Sequence, residues 1–319
     1  MSSGVSKFHA EFIVFVMLFS WGFAQRMGVS SEGALGDATI KGRAGASDIV
    51  IKTSSRVAGA IGSLSWNGKE FIDRLDHGRE LQSACSFDAG APGEFWPEAY
   101  NPTEAGSRDD GAGDRSTSRL LRIKARGDSL ETQTQAAFWL APGEESSGRK
   151  ARNDRKLSNH RISKRVKIGL PNLPHAIRYD TTFLVPGDEK HRIAQFEALT
   201  GYMPAEFERF WTFDPKSGTL ETIGDGPGEQ ALPLIFSTAN GSHAMGIYWP
   251  ESPTRGTTRA SYGRFRFEQE HVVKWNCVFR CQVPKGVPPG EYTFRMIVAV
   301  GTLDDVASTL RTLTARKRE

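Results

Sequence analysis

The sequence predicts an all-β protein, a large antiparallel β-sandwich carrying a single C-terminal helix. Three observations predict it. Apolar and polar residues alternate along many segments rich in Val, Ile, Phe and Thr, as in strands with one face buried. The chain's 33 Gly and 16 Pro break those segments at short intervals, which suits strands and tight turns rather than a helical bundle. Nineteen Phe and seven Trp supply the large side chains that two stacked sheets bury between them. One such domain accommodates the length of 319 residues, since β-sandwiches often run past about 200 residues as a single unit.

The chain opens with Lys7 and His9 ahead of an apolar run, 12–24, that ends on Gly22-Phe23-Ala24 before Gln25. Charge, apolar run and small residues in that order read as a secretory signal over residues 1–24, with retention as an uncleaved anchor the alternative. The run is short for a membrane span, which takes about 20 residues. No later stretch offers one, so no transmembrane span is expected after signal removal, and the expected location is secreted or periplasmic. Residues 25–46 are rich in Gly, Ser and Ala without apolar periodicity, as in a flexible linker, which leaves 47–319 as a single β-sandwich domain.

Within that domain 48–52 is a short strand. Residues 57–66 and 69–73 form a hairpin around Asn67-Gly68, the pair that favours a type I′ turn because both positions need positive φ. Residues 77–87 continue as a strand, and a long loop follows from 88 to 116. A second hairpin, 119–125 with 129–140, turns at Gly127-Asp128, and Leu121, Ile123 and Ala125 mark one of its faces. Residues 142–157 are polar and charged, hence loop. Alternation then predicts strands over 161–170, 176–186 and 191–202, followed by a short helical turn over 204–210. A hairpin of 232–238 and 244–249 turns at Asn240-Gly241, and 259–268, 272–283 and 291–300 complete the strands. The helix, 303–316, starts at Thr302 with Asp305 three residues on, as in a capping box, and lines Val306, Leu310 and Leu313 on one face.

Candidate chemistry concentrates between Asp76 and Gly111, where charged side chains sit among glycines that let a loop turn sharply. In a strand His77 and Arg79 point to one side and Glu80 to the other. His77 could move a proton near neutral pH, and Arg79 could bind a carboxylate or a developing anion. Glu80 and Glu104 could form the carboxylate pair of a glycoside hydrolase. The expected catalytic residues are therefore His77, Glu80 and Glu104, and the expected substrate-binding residues are Arg79, Trp96, Arg108, Tyr202 and His243. Trp96, ahead of Pro97 in the long loop, offers a flat face for a pyranose. Tyr202 with a histidine could supply the base and acid of a β-elimination on a uronic acid, with Arg79 or Arg108 neutralising its carboxylate. Each of these side chains also has a plain structural reading, as a hydrogen-bonded or ion-paired part of its loop.

No cofactor is expected. Asp109, Asp110 and Asp114 with glycines between them resemble a calcium loop, but the spacing fails the EF-hand pattern and its bidentate Glu is absent, so calcium stays open. Cys85, Cys277 and Cys281 are too few for a disulfide framework. Cys277 and Cys281 would lie ~13 Å apart along a strand, beyond the roughly 7 Å a disulfide spans; burial as free thiols, or a bridge from Cys85 to one of them, remains. The net charge of +4 is mild, and much of it lies in a basic run from Arg149 to Lys167 that is either a patch for acidic polysaccharide or a solvated strand face. The expected partner is an oligo- or polysaccharide and not nucleic acid. Nothing in the sequence sets the oligomeric state.

The run Ala58-Gly59-Ala60-Ile61-Gly62-Ser63-Leu64-Ser65-Trp66-Asn67-Gly68-Lys69-Glu70-Phe71-Ile72 resembles the first hairpin of galactose mutarotase-like β-sandwich proteins, and the strand-rich remainder is similar to their twisted supersandwich. The resemblance implies a concave sugar-binding face and, in many relatives, sugar epimerisation, glycoside cleavage or polysaccharide lysis. The Asn-Arg-Ile, His-Gly-Gly and Asn-His-x-Tyr-Phe-Asn signatures of aldose epimerases are absent, so no catalytic residue is carried over. The expected function is a secreted carbohydrate-active protein working on a glycan by acid/base chemistry, as lyase, hydrolase or epimerase. A non-catalytic carbohydrate-binding or cell-envelope module is the alternative.

Overall fold

Alternation decides where the strands go, and turn chemistry decides where they end. The computed structural model describes residues 36–89, 95–253, 256–283 and 285–316; the expected signal, 1–24, and the first part of the expected linker lie outside them. The chain begins with β1 Ala38–Ala44, β2 Ser47–Thr53 and β3 Ile61–Trp66, which turns back into β4 Lys69–Glu70. At that turn Asn67 and Gly68 have φ of 49° and 76°, the two positive values that a type I′ hairpin requires. Next come β5 Leu81–Phe87, β6 Pro102–Thr103, β7 Arg119–Arg126, β8 Ser129–Phe138, β9 Glu145–Ser146 and β10 Arg149–Lys150. Three long strands follow, β11 Leu157–Leu170, β12 Leu173–Val185 and β13 Ile193–Pro204. The last group is β14 Arg209–Phe213, β15 Leu220–Ile223, β16 Gly228–Gln230, β17 Leu234–Ser237, β18 Ala244–Tyr248, β19 Ser261–Phe267, β20 Val272–Gln282 and β21 Gly290–Gly301, closed by α1 Leu303–Arg316.

The pairings are antiparallel and resolve into two layers. One runs β7-β8-β11-β12-β21-β18-β17-β14-β15. The other runs β1-β2-β3-β5-β13-β20-β19-β16. At one rim β6 joins them, Thr103 pairing with Ala84 of β5 and with Ala137 of β8. Between the layers Ile162, Val166, Tyr179 and Phe183 of the first meet Ile51, Leu64, Phe196, Trp275 and Phe279 of the second, all in one buried cluster. The helix lays Val306 and Leu310 over Phe213, Ile235, Ala244 and Ala299 on the outer side of the first layer. Its expected capping box is formed: Thr302 Oγ1 accepts the Asp305 N–H at 3.1 Å, and the Asp305 carboxylate accepts the Thr302 N–H at 3.0 Å.

Short strands also fall where loop was expected, β6 within 88–116 and β9 and β10 within 142–157, and β15 and β16 where none was expected; three further boundaries differ from the sequence reading. The second half of the expected linker is β1, paired with β2 from Ala38 opposite Thr53 to Ala44 opposite Ser47, with Ile40 and Ala44 buried. Its small residues hide a genuine alternation. The expected strand 77–87 starts only at Leu81, because the Asp76 carboxylate accepts the Gly78 N–H at 2.8 Å and holds a turn there. In place of the helical turn, β13 runs to Pro204 and a short turn leads into β14. All three cysteines are buried free thiols. Among the described residues no helix is long and apolar enough to cross a membrane.

Candidate functional site

The outward faces of β5, β13 and β20, with Glu98, Asn101 and Trp139 along one side, enclose a hollow of about 160 Å³. Its floor depends on an irregularity. In β13, Ala194 and Phe196 point into the core, so Gln195 and Glu197 point out. Strict alternation would then send Tyr202 inward. The register slips between Glu197 and Leu199, where Ala198 and Leu199 are both fully buried. That bulge returns Thr200 and Tyr202 to the side of Gln195 and Glu197, and all four line the hollow.

Charge converges on the same floor. Lys274 Nζ of β20 lies 3.2 Å from Glu197 Oε1 and 5.0 Å from the centre of the Tyr202 ring, and the Asn276 amide also donates to that Glu197 oxygen. Burial pulls the Lys274 pKa down, but Glu197 and Tyr202 outweigh it and leave the ammonium above its ordinary value. Burial pushes the Tyr202 phenol up, against the opposing pull of Lys274. At neutral pH the floor therefore presents a fixed cation beside a phenol that keeps its proton. On the wall, Gly78 makes room for an indole: a Cβ there would come within 2.8 Å of Trp139 Cη2. The Asn101 amide donates to the Cys85 carbonyl at 2.7 Å and to Ser86 Oγ at 3.1 Å, and Gln82 Oε1 accepts the Ala105 N–H at 3.0 Å. Amides, hydroxyls, two carboxylates and an ammonium around one aromatic face suit a ligand rich in hydroxyls.

The two fragments expected to meet do meet, but they pack as a solid knot rather than a hollow. The His77 N–H donates to the Gly111 carbonyl at 2.9 Å, and the Glu104 N–H donates to the Ser83 carbonyl at 3.1 Å. His77 is 1% exposed, and its ring nitrogens each face a backbone carbonyl at 2.7 Å, Nδ1 that of Gly111 and Nε2 that of Arg56. Neither nitrogen can reach a substrate. Glu104 is fully buried, with Lys164 of β11 on Oε1 and the Ser83 N–H on Oε2 at 3.2 Å. Burial of that lysine lowers its pKa, against Glu104. Glu80 is also fully buried, 3.5 Å from Arg56 Nη2, and burial pushes its pKa up to about 8. The three residues expected to be catalytic thus share one region of the interior, where they hold loops together.

Of the residues expected to bind substrate, only Tyr202 lines the hollow. Arg79 is taken up by Asp76 at 3.0 Å, Asp73 at 3.7 Å and the Glu270 carbonyl at 3.4 Å. Arg108 holds Glu144 at 2.9 Å and the Glu145 carbonyl at 3.2 Å on an outer loop. Trp96 lies under the Arg149 guanidinium, 5.2 Å from its ring centre, in a neighbouring basic cleft. His243 packs edge-on against Trp66 and bonds Ser242 Oγ at 2.9 Å. In the aspartate-rich loop, Asp110 accepts the Ser107 and Thr117 N–H groups at 2.8 Å, while Asp109 pairs with Lys156 at 3.0 Å.

Glu98, Asn101, Trp139, Gln195, Glu197 and Lys274 went unread as site residues. Alternation marks four of them as outward-pointing: Trp139 follows inward Phe138, Gln195 and Glu197 flank Phe196, and Lys274 separates Val273 from Trp275. What the pattern leaves out is which outward face is concave.

No protein-family model matches the chain, and no curated protein matches it. Among solved structures it is similar to a galactose mutarotase-like protein from Lactobacillus casei, at 8% identity over 82% of this chain and 100% of that one, with a TM-score of 0.42. It is similar also to a protein in the Glycosyl Hydrolase Family 38 from Enterococcus faecalis, at 13% identity over 91% of this chain and 33% of that one, TM-score 0.48. The heparan sulfate lyase from Pedobacter heparinus gives 10% identity over 84% of this chain and 35% of that one, TM-score 0.40. These are likenesses of fold; the chemistry of the hollow rests on its own residues.

Proposed function

We propose that the hollow on β5, β13 and β20 binds a glycan and that the protein acts on it by acid/base chemistry. The observation that carries this reading is the placement of Lys274 beside both Glu197 and Tyr202 on a floor walled by side-chain amides and Trp139. A phenol that keeps its proton can deliver it to a leaving sugar oxygen, and an adjacent ammonium stabilises negative charge that develops on the substrate, including that of a uronate carboxylate. A hollow of about 160 Å³ suits one ring held closely rather than a buried chain. Export, proposed from the order of basic, apolar and small residues in 1–24, would place this site where polysaccharide is met; the N-terminal sequence of the mature protein tests it.

The activity test is incubation with a panel of neutral and acidic glycans, following reducing ends for hydrolysis, unsaturated uronate absorbance for elimination and anomer ratio for epimerisation. Tyr202→Phe is expected to lose about 10²–10⁴-fold in turnover with affinity nearly unchanged. Full turnover in that variant would remove the phenol from the chemistry. One observation favours binding without catalysis: the Glu197 carboxylate is already held by Lys274 and Asn276. On that reading a glycan binds, Trp139→Ala weakens it, and no glycan is turned over.

A further inference from the structure

At one end of the sandwich, on the core side of β5 rather than the outward face that lines the hollow, three ligand atoms converge between the layers. His160 comes from β11, and Glu189 and His191 come from the connection between β12 and β13. One imidazole nitrogen from each histidine and one carboxylate oxygen of Glu189 all lie within 4.8 Å of one another. His191 Nε2 is 3.1 Å from Glu189 Oε2, and His160 Nε2 is 3.7 Å from the same oxygen. The histidines are 1% and 4% exposed. Neither nitrogen of His160 has a hydrogen-bond partner, nor do His191 Nδ1 and Glu189 Oε1. Leaving buried polar atoms unpaired is costly. Asp88 stands 3.7 Å from His191 Nδ1 and Arg155 4.0 Å from Glu189 Oε1, whereas His160 Nε2 faces only the Glu189 oxygen that His191 Nε2 also faces, so an ion shared by those three atoms would give it a partner.

We propose that His160, Glu189 and His191 bind a divalent transition metal ion, zinc in the first place, at a structural site. Tetrahedral zinc with bonds of about 2.0–2.2 Å sets its ligand atoms roughly 3.3–3.5 Å apart, and the two short separations here bracket that spacing. Two imidazoles with one carboxylate select a borderline ion over calcium or magnesium, which take oxygen ligands. The surroundings are those of a metal's outer shell. The Tyr100 hydroxyl donates to Glu189 Oε2 at 2.7 Å and fixes the carboxylate. The Asp88 carboxylate, which accepts the Arg192 N–H, stands 3.7 Å from His191 Nδ1, where it can orient the imidazole whose other nitrogen faces the ion. The Phe87 ring lies 4.8 Å from His160 and 4.4 Å from His191 and walls the cluster from water. Hydrogen bonds account for the His191–Glu189 and Tyr100–Glu189 contacts and leave both nitrogens of His160 without a partner. The bound ion would tie the connection between β12 and β13 to β11, and its presence is independent of what the hollow binds.

The test uses the full chain with any affinity tag removed. Metal analysis of the purified protein should give about one zinc per chain. After chelation and dialysis the melting temperature should fall and should recover with zinc but not with calcium or magnesium. Cobalt in place of zinc should give tetrahedral visible bands without a thiolate-to-cobalt band, which separates this cluster from the cysteines. Asp88→Asn should weaken zinc about 10–100-fold while the protein stays folded. Absence of co-purified metal together with an unchanged melting temperature on adding zinc would overturn the proposal, as would a thiolate band or unaltered zinc affinity in a folded His160→Asn/His191→Asn variant.

Discussion

Glu80 shows what burial does to a single carboxyl when its partner is poorly placed. The side chain is fully buried, Arg56 stands 3.5 Å from one oxygen, and the other oxygen has no hydrogen-bond partner. Burial pushes its pKa from 4.5 to about 8, with Arg56 opposing. Between those two values the folded protein holds a proton that the unfolded chain has released. Stability therefore falls as pH rises through the window, by up to about 1.4 kcal/mol per pH unit from this group, and the contribution is fully present only below pH 4.5. Glu80→Gln imitates the protonated acid at every pH. It is expected to leave stability at pH 4 nearly unchanged and to raise the melting temperature at pH 8, flattening the profile between them; an identical pH profile in urea unfolding of the two proteins would show that Glu80 is not the group responsible.

Among the elements, α1 was the most fully legible because its signals are local. Thr302 and Asp305 cap it through 3.0 and 3.1 Å bonds, and Val306 and Leu310 lie on the buried stripe that the 3.6 period requires. Thr302→Ala removes the hydroxyl acceptor and is expected to cost about 1 kcal/mol, seen as a melting temperature lower by roughly 2–4 °C, while Thr302→Ser keeps most of the stability. The Asn67-Gly68 hairpin was legible for the same reason, since two positive φ values are written into two adjacent residues. The bulge in β13 was not. Ala198 and Leu199 are ordinary apolar residues in an apolar strand, and the extra residue exists only because β5 and β20 both accommodate the slip. Since the bulge decides which side Tyr202 faces, the candidate site shares that illegibility. The chemistry of Tyr202 points to it directly, whereas alternation turns its neighbours Glu197 and Lys274 outward without showing that the face they share with it is concave.

For the whole molecule, the loop chemistry that drew attention in the sequence turns out to serve the joining of the layers. Glu104 follows the short β6 at the rim, and its carboxylate accepts the Ser83 N–H of β5 from one layer and the Lys164 ammonium of β11 from the other. Lys164 also donates to the Gly59 carbonyl at 2.8 Å, which ties in the turn before β3. Both side chains of the pair are fully buried, so each depends on the other for compensation. An ion pair so enclosed need not add net stability over an apolar pair, because desolvating both charges offsets their attraction, but breaking it from one side strands a charge. Lys164→Met is accordingly expected to cost about 3–5 kcal/mol in denaturant unfolding. The double variant Lys164→Met/Glu104→Met removes both charges together and should recover more than half of that loss, despite leaving the Ser83 N–H and Gly59 carbonyl without these partners. Additive losses in the double variant would mean that the two charges act independently, leaving β6 and apolar contact to join the layers. Recovery would identify the carboxylate as an interlayer tie and account for its absence from the hollow on the outer face.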